Sequence, residues 1–349
     1  MPKVLLTGAN GFLATHILSQ LVDSGYEVTG TVRTESKAED VFVAHPTFKS
    51  KVKLVVIPDI SAAGAYDEVF KETQFDHIVH TASPVPDGSG KDFDQDFLVP
   101  AVQGNLELLS AARKYSKALK HFCFTGSIVS VTDVTKPFSG RALTTNDWNE
   151  VDPDVARQAQ NGGVSYRYAK TLAEKALWKF VQNERPDFTV SVLSAPLIIG
   201  PPLQRLDDHA IGKGRTNMSS DLFYNTFLKP DSEGPGSPLF SAYIDVRDLA
   251  TLHVRALTEA RDSNRRLLLA SPEPFFAETV LQILKDEYPQ LGERLSSVRA
   301  AAIVASKEED VQNPFRVDDS ATKGVFGDKL YRSLRETVID TANRLLEIE

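Results

Sequence analysis

The sequence predicts an α/β protein: a doubly wound parallel sheet followed by a smaller C-terminal α/β region. Three observations predict it. Short apolar runs alternate with longer amphipathic stretches through the first two-thirds of the chain, as strands buried on both faces alternate with the helices that cover them. The first run, Val4–Leu6, passes straight into a glycine turn, Thr7-Gly8-Ala9-Asn10-Gly11, and then into a helix-patterned segment. Beyond about residue 200 the alternation weakens, starting at Pro201-Pro202.

Taken in order, Phe12, Leu13, Ile17, Leu18 and Leu21 recur at helical spacing, and Gly25 supplies the stop. Tyr26–Val32 alternates as a strand does, and Val52–Ile57 is a continuous apolar run ended by Pro58. Ala65–Thr73 predicts a short helix, His77–His80 a strand, Val99–Ala118 a long helix and Phe122–Phe124 a strand. Tyr166–Asn183 predicts a helix and Thr189–Leu193 the next strand. In the last third, Tyr243–Val246 and Leu267–Leu269 predict short strands. Asp248–Thr258, Ala277–Tyr288 and Tyr331–Leu346 predict helices.

The chain has 349 residues, 42% hydrophobic and 25% charged, enough for one large or two smaller domains with a real core. A formal charge of −8 lacks the basic footprint of a nucleic-acid binder or of a polybasic membrane-surface protein. Neither partner is expected. Cys123 is the single cysteine, so no intrachain disulfide forms, which fits a reducing compartment. No apolar run approaches the roughly 18 residues of a membrane helix. The short N-terminal run reads as a strand rather than a signal peptide. A cytoplasmic protein is expected.

The turn between the first strand and helix has the pattern G-x-x-G-x-x-A, ending at Ala14. Gly8 permits a tight turn, Gly11 lets the backbone approach a pyrophosphate, and Ala14 lets the helix pack close. Amides at the start of that helix then face the anion. Asn10, Phe12 and Leu13 belong to the same cradle. A dinucleotide is therefore expected. NAD sites carry an acid on the ribose about 20 residues on. Here that place holds Arg33, with Lys37 one turn later, and a guanidinium there pairs with a 2′-phosphate. Glu35 is the counter-signal, an acid able to fold back on a ribose.

Tyr166 and Lys170 form Y-x-x-x-K, four residues apart and so on one helix face. A cation about 4 Å from a phenol is worth roughly 4 kcal/mol at an effective dielectric near 20, close to three pKa units before desolvation. On this reading Lys170 lowers the Tyr166 pKa and makes the phenol a general acid. Tyr168 has no such lysine. Ser127 closes the stretch Phe122-Cys123-Phe124-Thr125-Gly126-Ser127, at the strand end where ligands bind in open α/β sheets, and can steady a carbonyl oxyanion. His77 and His80, three apart on a strand, face opposite ways and make a poor metal pair. No metal site is expected. Asp245, Arg247 and Asp248 read as a structural ion-pair group, and Trp148 and Trp178 as packing residues.

These pieces, together with Asp59-Ile60, Asp76–Ser83, Phe124–Ser127, Ala195–Pro201 and Tyr243–Leu249, resemble the extended short-chain dehydrogenase/reductases. The likeness is greatest to the branch of dihydroflavonol reductases and fungal carbonyl reductases, and it covers nearly the whole chain. The resemblance implies a Rossmann-type NADP-binding domain over residues 1–200. Residues 201–349 would mainly bind substrate, with 243–258 returning to the first domain. It implies that Ser127, Tyr166 and Lys170 form a catalytic triad and that Arg33 and Lys37 hold the NADP phosphate. Asp59 and Ile60 would lie near the adenine, and Thr81, Ala82 and Ser83 on the ribose side. Pro196, Leu197 and Ile198 would flank the nicotinamide. Gly126 and Ala195 depart from the branch, which often has serine and asparagine there, and are expected to loosen the polar shell of the pocket.

The expected activity is NADPH-dependent reduction of a ketone or aldehyde, with NADP(H) as cofactor and a small-molecule carbonyl as substrate. A nucleotide-sugar epimerase or dehydratase, or a non-catalytic NADP sensor, is the alternative. Ile128, Val164, Leu197 and Ile198 are expected to form an aliphatic substrate wall. Gly212–Gly214 and Glu233–Pro238 are expected to form an adaptable lid. Monomer and homodimer both fit.

Overall fold

The computed structural model describes residues 1–83, 98–133, 140–158, 162–206, 217–230, 232, 241–292, 294–295 and 316–349. Its centre is a seven-stranded sheet in which every neighbouring pair runs parallel. The strands are β1 (Lys3–Thr7), β2 (Glu27–Val32), β3 (Val52–Val56), β4 (His77–His80), β5 (His121–Ser127), β6 (Thr189–Ala195) and β9 (Arg265–Leu268). Their order is β3-β2-β1-β4-β5-β6-β9. The direction of winding reverses between β1 and β4, which opens a crevice at their C-terminal ends. The strand expected near Leu267–Leu269 is the seventh of this sheet, so chain beyond residue 200 supplies part of it.

Helix α1 (Phe12–Asp23) buries Leu13, Ile17, Leu18 and Leu21 against the sheet, as their spacing requires. Gly25, at φ +79°, turns the chain into β2. Helix α2 (Glu35–Ala44), not assigned from the sequence, starts where Thr34 accepts a hydrogen bond from the Lys37 amide. Helix α8 (Val246–Glu259) adds Val246, Leu249, Leu252 and Ala256 to the core that holds α1. On the other face, α3 (Asp67–Glu72), α4 (Val99–Tyr115) and α6 (Gly162–Glu184), the last preceded by the short α5 (Pro153–Gln158), cover Phe122, Val190 and Val192 through Phe70, Leu108, Leu109 and Leu177.

A second parallel pair, β7 (Leu197–Ile199) with β8 (Tyr243–Asp245), lies outside the large sheet. It carries a separate core in which Ile199, Phe223 of the short helix α7 (Met218–Phe223), Phe227 and Tyr243 meet Leu284 and Val338. Leu284 comes from helix α9 (Ala277–Glu287) and Val338 from the final helix, Leu334–Glu347. Ser333 caps that final helix by accepting from the Glu336 amide. Val246, expected in a strand, opens α8 instead, because Asp245 caps the helix there through the Arg247 amide. Gly212–Gly214 and Glu233–Pro238 lie outside the described residues. Among the described residues no helix is long and apolar enough to cross a membrane.

Candidate active site

The ends of β1 and β4 are tied together by one threonine. Thr7 Oγ1 accepts hydrogen bonds from the Thr81 and Ala82 amides, each at 3.1 Å. It donates to His80 Nδ1 at 2.6 Å, while His80 Nε2 donates to Asn105 Oδ1 on α4 at 2.8 Å. These partners require a neutral imidazole, and burial pushes its pKa down to about 4. The fit between the two loops is close. A Cβ on Gly8, whose φ is +70°, would stand 3.2 Å from the Ala82 Cα. A larger residue at position 8 would close the crevice where β1 and β4 part.

Tyr166 and Lys170 lie on one face of α6, both partly buried, with Lys170 Nζ 5.8 Å from the Tyr166 ring centroid. Lys170 Nζ reaches across to β4's end and donates to Ser83 Oγ at 2.9 Å. Ser127 ends β5 at the same edge, and its Oγ accepts from the Val129 amide at 3.4 Å. The electrostatics differ from the sequence expectation. Burial is the largest influence on the Tyr166 phenol and raises it to about 12, the opposite direction from that expectation. Burial also lowers the Lys170 ammonium to about 8. Desolvation of both groups is the leading cause of the two shifts and opposes the attraction that their spacing implies. At neutral pH the phenol keeps its proton and the lysine is still mostly charged.

The glycine loop is built for an anion. The Gly11 amide donates to the Gly8 carbonyl at 2.8 Å, and no side chain caps the first turn of α1, so its amides face outward from Phe12 onward. Beside it is a cavity of about 170 Å³ lined by Asn10, Gly11, Phe12, Lys37, Asp40 and Arg205, among others. These residues fit a dinucleotide phosphate: backbone donors and Lys37 on one side, Arg205 on the other. Arg33 is exposed and is not part of that lining. It faces Asp59, whose carboxyl is held below its usual range first by the Ser61 hydroxyl and amide and in smaller part by Arg33. Ile60 packs towards α4, where a Cβ on Gly104 would stand 3.0 Å from its Cδ1.

Pro196 is buried, and Leu197 and Ile198 pair in register with Tyr243 and Ile244. Leu197 packs on the second core and Ile198 on the first. Val164, partly buried, stands two residues before Tyr166 on α6. Ile128 is a correction. It is buried with Val131, Leu143 and Leu268 and supplies core there rather than pocket wall. Gly126 does not loosen the pocket either. A Cβ on it would lie 2.6 Å from Val192 Cγ1 and 2.9 Å from Ser194 Oγ, so β6 leaves no room for a serine. Ala195 is likewise core.

Asp245 grips Arg247, which reaches on to Asp340, and Arg332 is paired with Asp248. The group fastens α8 and β8 to the C-terminal helix. His77 rests edge-on against Tyr26, on the opposite face of β4 from His80. One buried network escaped the sequence reading. Glu174, one turn after Lys170, pairs with Arg266 of β9 at 2.6 Å and lies 2.6 Å from Ser130 Oγ. Ser130 Oγ is also 2.8 Å from the Ser127 carbonyl. Arg266 stacks on Trp148 at 3.7 Å and donates to the Thr145 and Asp147 carbonyls. The partners are up to 136 residues apart in sequence, and only the charge of Glu174 within an amphipathic helix hinted at it.

The chain is 31% identical to the NADPH-dependent methylglyoxal reductase Gre2 of Saccharomyces cerevisiae, over 99% of both chains. It is also 31% identical to the ketoreductase azaE of Aspergillus niger, over 99% of this chain and 98% of that one. The crystal structure of the yeast methylglyoxal/isovaleraldehyde reductase Gre2 complexed with NADPH superposes with a TM-score of 0.83, at 29% identity, over 99% of this chain and 98% of that one. The family model of NAD-dependent epimerases and dehydratases matches residues 4–270, and the chain belongs to that family.

Proposed function

We propose that this protein is an NADPH-dependent carbonyl reductase that converts a ketone or aldehyde to the alcohol, with Tyr166 as proton donor. The observation that carries the reading is the meeting, at one crevice, of Tyr166 and Lys170 from α6 with Ser83 from the end of β4, beside the glycine loop. The names of the fungal relatives, an NADPH-dependent reductase and a ketoreductase, support it. When bound, NADPH supplies a hydride to the carbonyl carbon. Ser127 donates a hydrogen bond to the carbonyl oxygen and steadies the charge that develops there. The Tyr166 phenol, still protonated at neutral pH, gives its proton to that oxygen. Lys170, held by Ser83 in the free protein, is the cation that offsets the phenolate left behind.

The Lys170 shift sets a pH dependence. Its folded pKa, near 8, lies below the ordinary lysine value, so the charged form is lost as pH rises through about 8. The kcat/KM for NADPH reports groups of the free enzyme, and it is expected to fall about tenfold per pH unit above that point. Lys170→Arg stays charged and should lack this break. A wild-type profile flat to about pH 9.5 would contradict the role.

Substrate preference follows from Val164, Leu197 and Ile198, aliphatic residues that offer no hydrogen bond to a sugar phosphate. Each added methylene on a 2-ketone is worth about 0.8 kcal/mol when buried, close to fourfold in kcat/KM. Hydrophobic ketones and aldehydes should therefore be preferred to small polar ones such as methylglyoxal. A homologous 2-ketone series tests this. Efficiency that stays flat or falls from the shortest member onward sinks it.

A further inference from the structure

The cavity beside the glycine loop has two walls of different origin. One is the loop with α2, which brings Lys37 and Asp40; the other is the segment 204–206. That segment is fastened in place. His16 Nε2 meets the Pro201 carbonyl at 2.9 Å, His45 Nε2 the Leu203 carbonyl at 3.0 Å, and Arg344 Nε the Pro202 carbonyl at 3.3 Å. Arg205 is thus carried by a strap held from α1, from the end of α2 and from the C-terminal helix.

A single carboxylate holds both cations of the cavity. Asp40 Oδ2 lies 3.2 Å from Lys37 Nζ, and Asp40 Oδ1 lies 3.0 Å from Arg205 Nη1. All three side chains are partly or largely exposed, so these pairs are weak and exchangeable. Gln204 Oε1, also at the cavity, is buried without a hydrogen-bond partner. Flipping that amide would present its NH₂ group there instead. The cavity therefore sets Arg205 and the Gln204 amide opposite Lys37 and the backbone donors of the glycine loop.

Helix α2 follows β2 directly, and the ribose-side group of a dinucleotide sits at the end of the second strand. A 2′-phosphate carries about −1.5 to −2 charge at neutral pH and three strong acceptor oxygens, more than the carboxylate it would compete with. We propose that Arg205 joins Lys37 in gripping the adenosine 2′-phosphate of NADP(H), and that Asp40 competes with that phosphate for both cations. The proposal rests on the NADPH reading above and deepens it. It places a phosphate ligand on the strap facing the loop, a position outside the strand-end residues that the sequence singled out.

The test is equilibrium binding by calorimetry, with no turnover involved. Adenosine 2′,5′-bisphosphate and 5′-AMP differ only in the 2′-phosphate. Arg205→Gln is expected to weaken the bisphosphate about tenfold and to leave 5′-AMP within about twofold. Arg205→Lys should recover part of the loss, and Asp40→Asn should tighten the bisphosphate about threefold. Bisphosphate affinity unchanged in Arg205→Gln, or equal losses for both nucleotides, overturns the assignment of Arg205. An Asp40→Asn protein that binds the bisphosphate no tighter overturns the competition. A wild-type protein that does not distinguish the two nucleotides overturns the NADPH preference itself, a separate result from the failure of Arg205.

Discussion

Tyr166→Phe is expected to lower turnover by at least about a hundredfold, since positioned proton transfer contributes roughly 10²–10⁴. The ring stays, so the packing around α6 and the Lys170–Ser83 contact survive. NADPH binding should hold to within about twofold, because the glycine loop and the Lys37 cavity lie elsewhere. The loss should appear in kcat and kcat/KM alike, as for an interaction made only in the transition state. The burial that raises the phenol pKa to about 12 makes this group a reservoir of one proton at any physiological pH. Removing it leaves no equivalent donor beside Lys170. A variant that keeps a tenth of wild-type turnover would contradict the assignment and move attention to Tyr168.

Glu174→Ala is expected to cost about 3–5 kcal/mol of stability, the usual penalty for stranding one member of a buried ion pair. Glu174 is 1% exposed and the Arg266 side chain 9%, so water cannot replace the lost partner. The same change frees Ser130, whose hydroxyl touches both Glu174 and the Ser127 carbonyl. Glu174→Gln keeps an acceptor for Ser130 and should cost less. Urea unfolding measures both. A Glu174→Ala loss below about 1 kcal/mol would mean that the pair is not buried as described.

The parts of the site legible in sequence were those whose geometry is local. G-x-x-G-x-x-A spans one turn, and Y-x-x-x-K spans one helical turn, so spacing alone places their groups. Ser127 was legible because a strand end has a fixed place in a parallel sheet. What was not legible depends on distant partners. The Glu174–Arg266 pair joins residues 92 apart, and the strap carrying Arg205 is placed by His16 and His45, 185 and 158 residues from the carbonyls they hold. Ile128 misled because an aliphatic residue beside a catalytic serine looks the same whether it faces a pocket or a core. The Tyr166 pKa misled because spacing reveals a nearby charge but not the burial that opposes it. The pairing of Leu197–Ile199 with Tyr243–Asp245 was hidden because three-residue strands carry no readable period.

Net hydride transfer from NADPH to a carbonyl shows itself in the stoichiometry of the reaction. Purified protein is given NADPH and an excess of a hydrophobic 2-ketone, with absorbance loss and alcohol formation followed together. One alcohol is expected to form per NADPH oxidised, with NADH much slower. Conversion of a nucleotide sugar with no net loss of cofactor, together with no oxidation of NADPH by any ketone or aldehyde, would contradict it.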